Sequence, residues 1–211
     1  MFKKQKLEKI QLYIIIDPKL SLNPDIEEVA SLAIGGGAQM IQFRDKEFSD
    51  EEFFVLAERI KKITQKKNIP FIINDRVNIA KSIDAEGVHL GQDDVPLKEA
   101  REILGEEKII GISTSNPEEA VEAEKQGADY IGLGPIFQTG SKEIKGTIGT
   151  EMISQVLSQV KIPVFPIGGI NPSNLDQVLK VGSKRIAVIS AVVSQKDVKK
   201  AAEELFRKLK K

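Results

Sequence analysis

The sequence has no cysteine and no tryptophan, and it has only one histidine among its 211 residues. Without cysteine there is no disulfide framework, no thiolate catalyst and no thiolate metal site. A single histidine excludes a histidine-rich metal site. These absences leave hydroxyl, amide, acidic and basic side chains as the candidates for any chemistry.

The chain also lacks a net charge, because 31 Lys and Arg residues balance 31 Asp and Glu residues. This balance argues against nucleic acid and anionic membranes as partners, although it allows a local basic site for a small anion. No apolar stretch approaches the ~20 residues of a membrane-spanning helix. The apolar residues of segment 1–10 are scattered among lysines, unlike those of a signal peptide. We therefore expect a cytoplasmic protein.

What the chain does contain is an alternation of strand and helix patterns. Eight short runs of β-branched and apolar residues predict buried strands. Between them lie stretches with helical spacing, of which residues 49–67 are the best example. The predicted strands cover residues 12–17, 39–44, 70–75, 87–91, 108–114, 130–134, 163–168 and 185–190.

Local signals mark where the helices begin and end. Ser49 with Glu52 predicts a capping box. Asn-Pro pairs predict an N-cap followed by a first-turn proline, and glycines predict helix ends. The pairs lie at residues 23–24, 116–117 and 171–172, and the glycines at residues 35–37, 127 and 182.

Eight such units without a linker predict an α/β fold, a (β/α)8 TIM barrel near its minimum size, in which residues 1–211 form a single catalytic domain. The main alternative is a doubly wound open sheet, which usually has fewer strands and a glycine-rich turn after the first one. Here Asp17-Pro18-Lys19 follows the first strand, so the barrel is favoured. The loops that follow the strands then share one face, where the active site of a barrel lies.

Polar and basic residues stand at the end of the second predicted strand and just beyond it. Gln42, Arg44 and Lys46 are spaced by two, so all three point to one side if the strand persists. If the strand stops at Phe43, the residues after it form a solvated loop. Arg and Lys at a strand end are suited to holding phosphate.

Acidic residues end the third predicted strand and follow the fourth. Asp75 comes directly after Asn74, and Asp94 lies a few residues beyond the fourth strand. Each could merely cap the next helix. Alternatively, two carboxylates on adjacent strand ends could share one Mg²⁺, with the phosphates of a substrate completing the octahedron. His89 lies within the fourth strand and is interpreted as a structural histidine.

The other candidates follow strands five to eight. Ser113 could bind a ring amino group or a phosphate, and the long irregular segment 134–149 suits a lid that closes on an anion. Gly168-Gly169 and Ile189-Ser190 end strands seven and eight, between whose loops barrels commonly hold a phosphate. The hydroxyl donors and the cation of the lid are Thr139, Ser141 and Lys142.

Taken together, these motifs resemble the thiamine-phosphate synthase family. The resemblance implies a transferase that joins hydroxymethylpyrimidine diphosphate to (carboxy)thiazole ethyl phosphate and releases diphosphate, with CO2 from a carboxylated thiazole. The matching motifs are Gln42-x-Arg44-x-Lys46, Asn74-Asp75-Arg76, Gly87-Val88-His89-Leu90-Gly91-Gln92-x-Asp94, Gly111-Ile112-Ser113, residues 129–139 with Lys142, and Ile167-Gly168-Gly169-Ile170.

The resemblance also implies a role for each matched residue. The catalytic residues would be Lys142, Arg44 and Lys46. The pyrimidine diphosphate would contact Gln42, Arg44, Lys46, Asn74, Ser113 and Lys142. The thiazole phosphate would contact Thr139, Gly140, Ser141, Gly169, Ile189 and Ser190. One Mg²⁺ per subunit would lie on Asp75 and Asp94.

Three other activities are alternatives. A thiazole tautomerase shares the barrel and the phosphate site but relies on a histidine after strand five, and residues 113–116 contain none. A phosphosugar epimerase or aldolase needs a base pair or a Schiff-base lysine within a strand, and no lysine occupies a predicted strand interior. A silent thiamine-precursor binding protein would not need a full set of charged mouth residues. The sequence leaves open whether the chain forms a homo-oligomer.

Overall fold

The computed structural model describes residues 7–139 and 146–210. Strands and helices alternate along them. The strands are β1 (Leu12–Ile16), β2 (Met40–Phe43), β3 (Phe71–Asn74), β4 (Gly87–Leu90), β5 (Ile109–Thr114), β6 (Tyr130–Leu133), β7 (Val164–Pro166) and β8 (Ile186–Val188). The helices are α1 (Ile26–Gly35), α2 (Asp50–Lys66), α3 (Val77–Ser82), α4 (Leu97–Leu104), α5 (Pro117–Lys125), α6 (Glu151–Leu157), α7 (Leu175–Lys180), α8 (Ser190–Val193) and α9 (Val198–Leu209), and a 3-10 turn (Pro18–Leu20) follows β1.

The eight strands form one sheet in the order β7-β6-β5-β4-β3-β2-β1-β8. Every ladder between neighbouring strands is parallel. The two end strands, β7 and β8, lie beside each other, so the sheet curves round into a barrel. This confirms the predicted (β/α)8 fold and rules out the doubly wound sheet, whose edges stay apart. In the part of the chain that the structure describes, no helix is both long enough and apolar enough to span a membrane.

Two of the predicted helix starts are correct to the residue. The Ser49 hydroxyl accepts from Glu52 N at 3.3 Å, and the Glu52 carboxylate accepts from Ser49 N at 2.9 Å, which is the predicted capping box. Asn116 accepts from Glu119 N at 2.8 Å and so caps α5. Each bond satisfies a first-turn N–H that has no intrahelical partner.

The other two Asn-Pro predictions are wrong about where the helix begins. Asp25 caps α1, and α7 begins only at Leu175. The side chains of Asn23 and Asn171 each accept from the backbone N–H two residues ahead, at 2.9 Å. Both asparagines therefore form Asx turns before the helix, a local arrangement that competes with capping.

Alternate residues of each strand face opposite sides of the barrel wall. On β1, Leu12 and Ile14 pack against the surrounding helices, whereas Tyr13 and Ile15 face the barrel interior. Apolar side chains at the strand starts, together with the residues before β1, fill the amino-terminal end of the interior. These residues are Leu7, Ile10, Met40, Ile72, Ile109 and Phe165. Space for a ligand is therefore left at the carboxyl-terminal end.

Two inward-facing glycines make room for larger rings in the interior. A Cβ added at Gly111 would lie 2.0 Å from Tyr130 Cζ, and one added at Gly132 would lie 3.1 Å from His89 Cε1. Because packed interiors have no spare volume, a side chain at Gly111 would have to displace the tyrosine ring. Gly111 and Gly132 therefore leave the space that the Tyr130 and His89 rings occupy in the barrel interior.

The substitution Gly111→Ala is expected to lower the free energy of unfolding by about 1–3 kcal/mol, the usual cost of overpacking. Urea unfolding followed by circular dichroism measures this. Gly35→Ala is the matched control, because its Cβ would meet nothing closer than Lys199 Cε at 3.8 Å, and alanine in a helix is at least as stable as glycine. Equal stability of the Gly111 variant and the wild type would contradict this account of the packing.

Candidate active site

A cavity of about 240 Å³ lies at the carboxyl-terminal ends of the strands. Eight of the predicted site residues line it, and they come from six different strand ends or loops. These residues are Gln42, Arg44, Asn74, Ser113, Thr139, Gly169, Ile189 and Ser190. Three others, Gly140, Ser141 and Lys142, lie outside the described residues.

Arg44 reaches the cavity although its strand has ended. β2 stops at Phe43, as the solvated-loop interpretation expected. Yet Arg44 N still donates to Ile16 O at 2.9 Å, which extends the pairing with β1 by one residue and keeps the side chain directed inward. The guanidinium forms an ion pair with the buried carboxylate of Asp17, which directly follows β1. Arg44 is therefore a fixed positive charge at the mouth of the cavity.

Lys46 lies further along the same loop and turns towards β3. It does not line the cavity, and 55% of its side chain is exposed. Its Nζ donates to Asp75 Oδ2 in an ion pair. Of the three residues spaced by two, only Gln42 and Arg44 share the cavity wall, and Lys46 contributes its charge at the rim.

A left-handed backbone turn directs Asp75 to the rim. Its φ is +60°, a conformation that asparagine and aspartate adopt more readily than most other non-glycine residues. Asp75 N donates to His89 O at 2.9 Å, and Asp75 O accepts from Val77 N at 2.9 Å. The residue thus leaves the β3–β4 ladder in one sharp turn, a kind of local strain that is common at functional sites.

The carboxyl group of Asp94 lies beside that of Asp75, as the sequence predicted for two adjacent strand ends. Asp94 Oδ2 accepts from Gly91 N at 2.7 Å, which ties the loop after β4 into a turn. Burial raises the pKa of Asp75, the adjacent Asp94 raises it further, and Lys46 offsets only part of this. Two acidic groups are therefore held together against their mutual repulsion.

Neither aspartate caps a helix, so the helix-capping interpretation is wrong for both. Arg76 occupies the N-cap position of α3 and Pro96 that of α4, and neither cap has a side-chain hydrogen bond. A role in capping therefore does not explain the paired carboxylates.

The donor set of this acidic pair suits a hard divalent cation that is shared with a ligand. Within residues 7–139 and 146–210 there is no cluster of three or more acidic or histidine side chains that could hold a metal by itself. Mg²⁺ is usually held by one or two carboxylates, with waters and substrate phosphates as its other ligands. Asp75 and Asp94 therefore fit Mg²⁺ bound together with a phosphorylated molecule.

Beneath the cavity, hydrogen bonds link side chains from five strands. Gln42 Nε2 donates to Tyr13 OH, which is 2.9 Å from Tyr130 OH. Tyr130 OH lies 3.0 Å from His89 Nδ1, and His89 Nε2 lies 2.9 Å from Ser113 Oγ. His89 is thus satisfied at both ring nitrogens, in agreement with its structural interpretation, but it also lines the cavity.

The opposite side of the cavity is formed by the loops after β6, β7 and β8. Gly169 has φ +64°, and a Cβ there would lie 2.3 Å from Gln138 O. Phe137 N donates to Gly168 O at 3.0 Å, so the first two of these loops pack directly together. The third loop leads into α8, in which Val192 N and Val193 N donate to Ile189 O at 3.0 Å, so only the N–H groups before Val192 are left over by the helix. This side offers backbone donors rather than charged side chains.

Several residues that line the cavity or hold its lining residues were missed from the sequence. Asp17 carried the same signal as the predicted residues, because it is a polar residue that ends a buried strand. Tyr13 has the inward parity of β1 but looks like an ordinary core residue in the sequence. The loop after β5 contributes Ser115, and the first turn of α5 contributes Glu119, whose carboxylate accepts from Ser115 N at 2.7 Å. Gln92 Nε2 donates to Ser113 O at 2.5 Å.

The barrel fold, with a fixed arginine and an acidic pair at its carboxyl-terminal mouth, defines an enzyme class: a TIM-barrel enzyme that acts on a small anionic substrate. The family model described as thiamine monophosphate synthase matches residues 12–192. The chain belongs to this family. The match confirms the family predicted from the sequence and, with it, the predicted activity, which is that of a transferase in thiamine biosynthesis.

Similar proteins cover almost the whole chain. A thiamine-phosphate synthase of Clostridium botulinum is 46% identical over 197 residues, which are 93% of this chain and 96% of that protein. One from Ruminiclostridium cellulolyticum is 44% identical over 195 residues, 92% of this chain and 93% of the other. The solved structure of a thiamine phosphate pyrophosphorylase from Pyrococcus furiosus superposes with a TM-score of 0.88 at 42% identity, covering 98% of this chain and 97% of that one.

Proposed function

We propose that this chain joins hydroxymethylpyrimidine diphosphate to the ring nitrogen of a thiazole ethyl phosphate, forming thiamine phosphate and diphosphate. A carboxylated thiazole would release CO2 as well. The observation that carries the proposal is the pair of carboxylates, Asp75 and Asp94, at the rim of a cavity that also holds Arg44. A diphosphate with a divalent cation needs both signs of charge in one place.

The pyrimidine diphosphate is assigned to the side of the cavity formed by β2 to β5. Arg44 and Lys46 are suited to the diphosphate, together with Lys142 of segment 134–149. Gln42, Asn74 and Ser113 are suited to the pyrimidine ring, because they offer amide and hydroxyl groups beneath those charges. Mg²⁺ held by Asp75 and Asp94 would neutralise charge on the diphosphate when it is bound.

The thiazole phosphate is assigned to the side formed by the loops after β6, β7 and β8. Backbone N–H groups near Gly169 and Ser190 are suited to its phosphate, because barrels commonly bind phosphate between the last two strands. Ile189 would pack against the thiazole itself. Thr139, Gly140 and Ser141 would close over the phosphate from segment 134–149.

The reaction follows from these placements. The bond between the pyrimidine methylene carbon and the diphosphate oxygen breaks, and its electron pair leaves with the diphosphate. Arg44, Lys46 and Lys142 stabilise the charge that grows on the leaving oxygens, so they act mainly on the transition state. The pyrimidine amino group stabilises the carbocation that remains. The thiazole nitrogen, held close by its phosphate, then donates its lone pair to form the new C–N bond.

A cytoplasmic location and small phosphorylated molecules as the chain's partners belong to the same proposal. The absence of cysteine suits a reducing compartment. The balanced net charge suits an enzyme whose basic groups are concentrated at one site.

The direct test is to incubate the purified protein with both substrates and to quantify the products by chromatography. Thiamine phosphate and diphosphate should form in equal amounts, only when both substrates are present, and EDTA should stop the reaction. The tautomerase alternative predicts the opposite pattern: a carboxythiazole phosphate would isomerise without the pyrimidine diphosphate and without coupling. That outcome would overturn the proposed function.

A further inference from the structure

The hydrogen bonds beneath the cavity form a chain that has a direction. A tyrosine hydroxyl has one proton to donate, and a buried proton that is left unpaired costs free energy. At the Gln42 end, the amide Nε2 donates to Tyr13 OH. For each of these buried protons to be paired, Tyr13 must donate to Tyr130 OH, 2.9 Å away, and Tyr130 must donate to His89 Nδ1, 3.0 Å away.

The direction fixes the position of the imidazole proton. When Nδ1 accepts a hydrogen bond, a neutral histidine carries its proton on Nε2. His89 Nε2 lies 2.9 Å from Ser113 Oγ, so it donates to this oxygen. Ser113 then uses a lone pair for the histidine and keeps its own hydrogen for a ligand. Both phenols are protonated donors at neutral pH, as ordinary tyrosines are, and burial raises the pKa of Tyr13 and of Tyr130 further.

We infer that Tyr13, Tyr130 and His89 are positioning residues that act through Ser113 and Gln42. The two tyrosines hold His89 as its Nε2–H tautomer. Ser113 therefore presents an O–H donor to the cavity, while Gln42 presents its Oε1 acceptor. An aminopyrimidine has the complementary groups: an amino N–H for the Gln42 oxygen and a ring nitrogen for the Ser113 hydroxyl. The inference rests on the proposed function and extends it, because it specifies how the site selects the pyrimidine over other rings.

The opposite tautomer would remove this selectivity. With the proton on Nδ1, Ser113 would have to donate to His89 Nε2, and only hydroxyl lone pairs would face the ligand. A ring nitrogen in the cavity would then lose its donor. A site built to hydrogen-bond a ring atom discriminates strongly only while its polar groups are correctly oriented.

The aromatic packing around these hydrogen bonds holds their side chains in place. The His89 and Tyr130 rings stack with centroids 5.5 Å apart, and Tyr13 and Tyr130 each meet the Phe165 ring edge-on at 5.5 Å. Aliphatic side chains would fill this space without buried hydroxyls, which are costly unless every one is paired. The barrel instead keeps two tyrosines and a histidine in contact.

Nuclear magnetic resonance tests the tautomer directly, because His89 is the only histidine in the chain. In protein labelled with ¹⁵N-histidine at pH 8, Nε2 should show the shift of a protonated ring nitrogen and Nδ1 that of an unprotonated one. Tyr130→Phe, which removes the donor to Nδ1, should shift the signals towards a mixture of tautomers. An Nδ1–H tautomer in the wild type, or unchanged signals in the variant, would overturn the inference. This measurement needs no substrate, so it is independent of whether the proposed function holds.

Two substitutions of the histidine test the consequence for binding. In His89→Gln the amide nitrogen is placed near the former Nε2 and can still donate to Ser113, whereas in His89→Asn it reaches only the Nδ1 position. We expect the asparagine variant to raise KM for the pyrimidine diphosphate about tenfold, the effect of one lost hydrogen bond, and the glutamine variant to raise it less. KM for the thiazole phosphate should stay unchanged in both.

A double-mutant cycle with Ser113→Ala separates positioning from general damage to the fold. If His89 acts through Ser113, adding Ser113→Ala to His89→Asn should cost little more than either change alone. Additive losses, or equal increases in the KM of both substrates, would contradict the positioning role. If the asparagine variant does not fold, Tyr130→Phe should show the same selective increase in KM for the pyrimidine diphosphate. Equal increases in KM for both substrates would again contradict the positioning role.

Discussion

Asp94→Asn should lower kcat/KM of the coupling reaction by at least about a hundredfold at ordinary Mg²⁺ concentrations, because it removes one of two carboxylates from the proposed cation site. The fold should persist, since the asparagine carbonyl can still accept from Gly91 N, as Asp94 Oδ2 does at 2.7 Å. Excess Mg²⁺ should restore part of the activity, because the remaining ligand, Asp75, still binds weakly. Activity measured across a magnesium titration shows both effects.

Asp93→Asn is the matched control for this experiment. Asp93 is the neighbouring residue, carries the same charge and is exposed to solvent. Because both variants change the net charge equally, a difference between them reports on the position of the carboxylate. An Asp94→Asn enzyme that is fully active in EDTA would remove Asp94 from the metal site, and equal losses in the two variants would point to a general electrostatic effect.

Arg44→Gln should lower kcat by about a hundredfold, which corresponds to about 3 kcal/mol of transition-state stabilisation. The arginine is a half-buried, fixed charge that lines the cavity, and 14% of its side chain is exposed. Charge on the departing diphosphate oxygens increases as the bond breaks, so the loss should appear in kcat more than in KM of the thiazole phosphate. Steady-state kinetics with each substrate varied in turn measures the difference.

The same substitution leaves the Asp17 carboxylate, 4% of whose side chain is exposed, without its arginine. Removing one partner of a buried ion pair is destabilising because it leaves an uncompensated charge. The double variant Asp17→Asn/Arg44→Gln replaces both charges by amides, so we expect it to recover about 1–3 kcal/mol of the lost stability while kcat stays low. Recovery of activity together with stability would show that Arg44 acts only through the fold.

Particular strands and helix caps show how much of the fold could be predicted from the sequence. All eight strands were predicted because β-branched apolar runs are a property of each segment alone. The capping box of Ser49 and Glu52 was also predictable, since its partners are three residues apart. Asn23 and Asn171 show where local reasoning failed: an Asx turn and an N-cap use the same residue type, and the sequence did not decide between them.

The residues of the site also fall into those that could be predicted from the sequence and those that could not. Arg44, Asn74 and Ser113 could be predicted because a polar residue at the end of a buried strand is conspicuous in the sequence. The partner of Arg44 could not, because Asp17 lies 27 residues away and meets it only when β1 and β2 pair. The spacing predicted that Lys46 points to the same side as Gln42. Because β2 ends at Phe43, Lys46 instead turns towards β3 and pairs with Asp75.

By itself, the sequence determined the class of fold and the strand ends that carry polar groups, because these depend on periodicity and on residue types at short spacings. It also determined the family, through the resemblance of its motifs along the chain. Only the tertiary structure decided which of these groups meet. Tyr13 and Tyr130 are 117 residues apart, and their hydroxyls are joined because the sheet curves round and brings β1 and β6 to face each other across the barrel. Contacts of that range are set by how the sheet closes and by the glycines that leave space for the rings, and no local pattern encodes them.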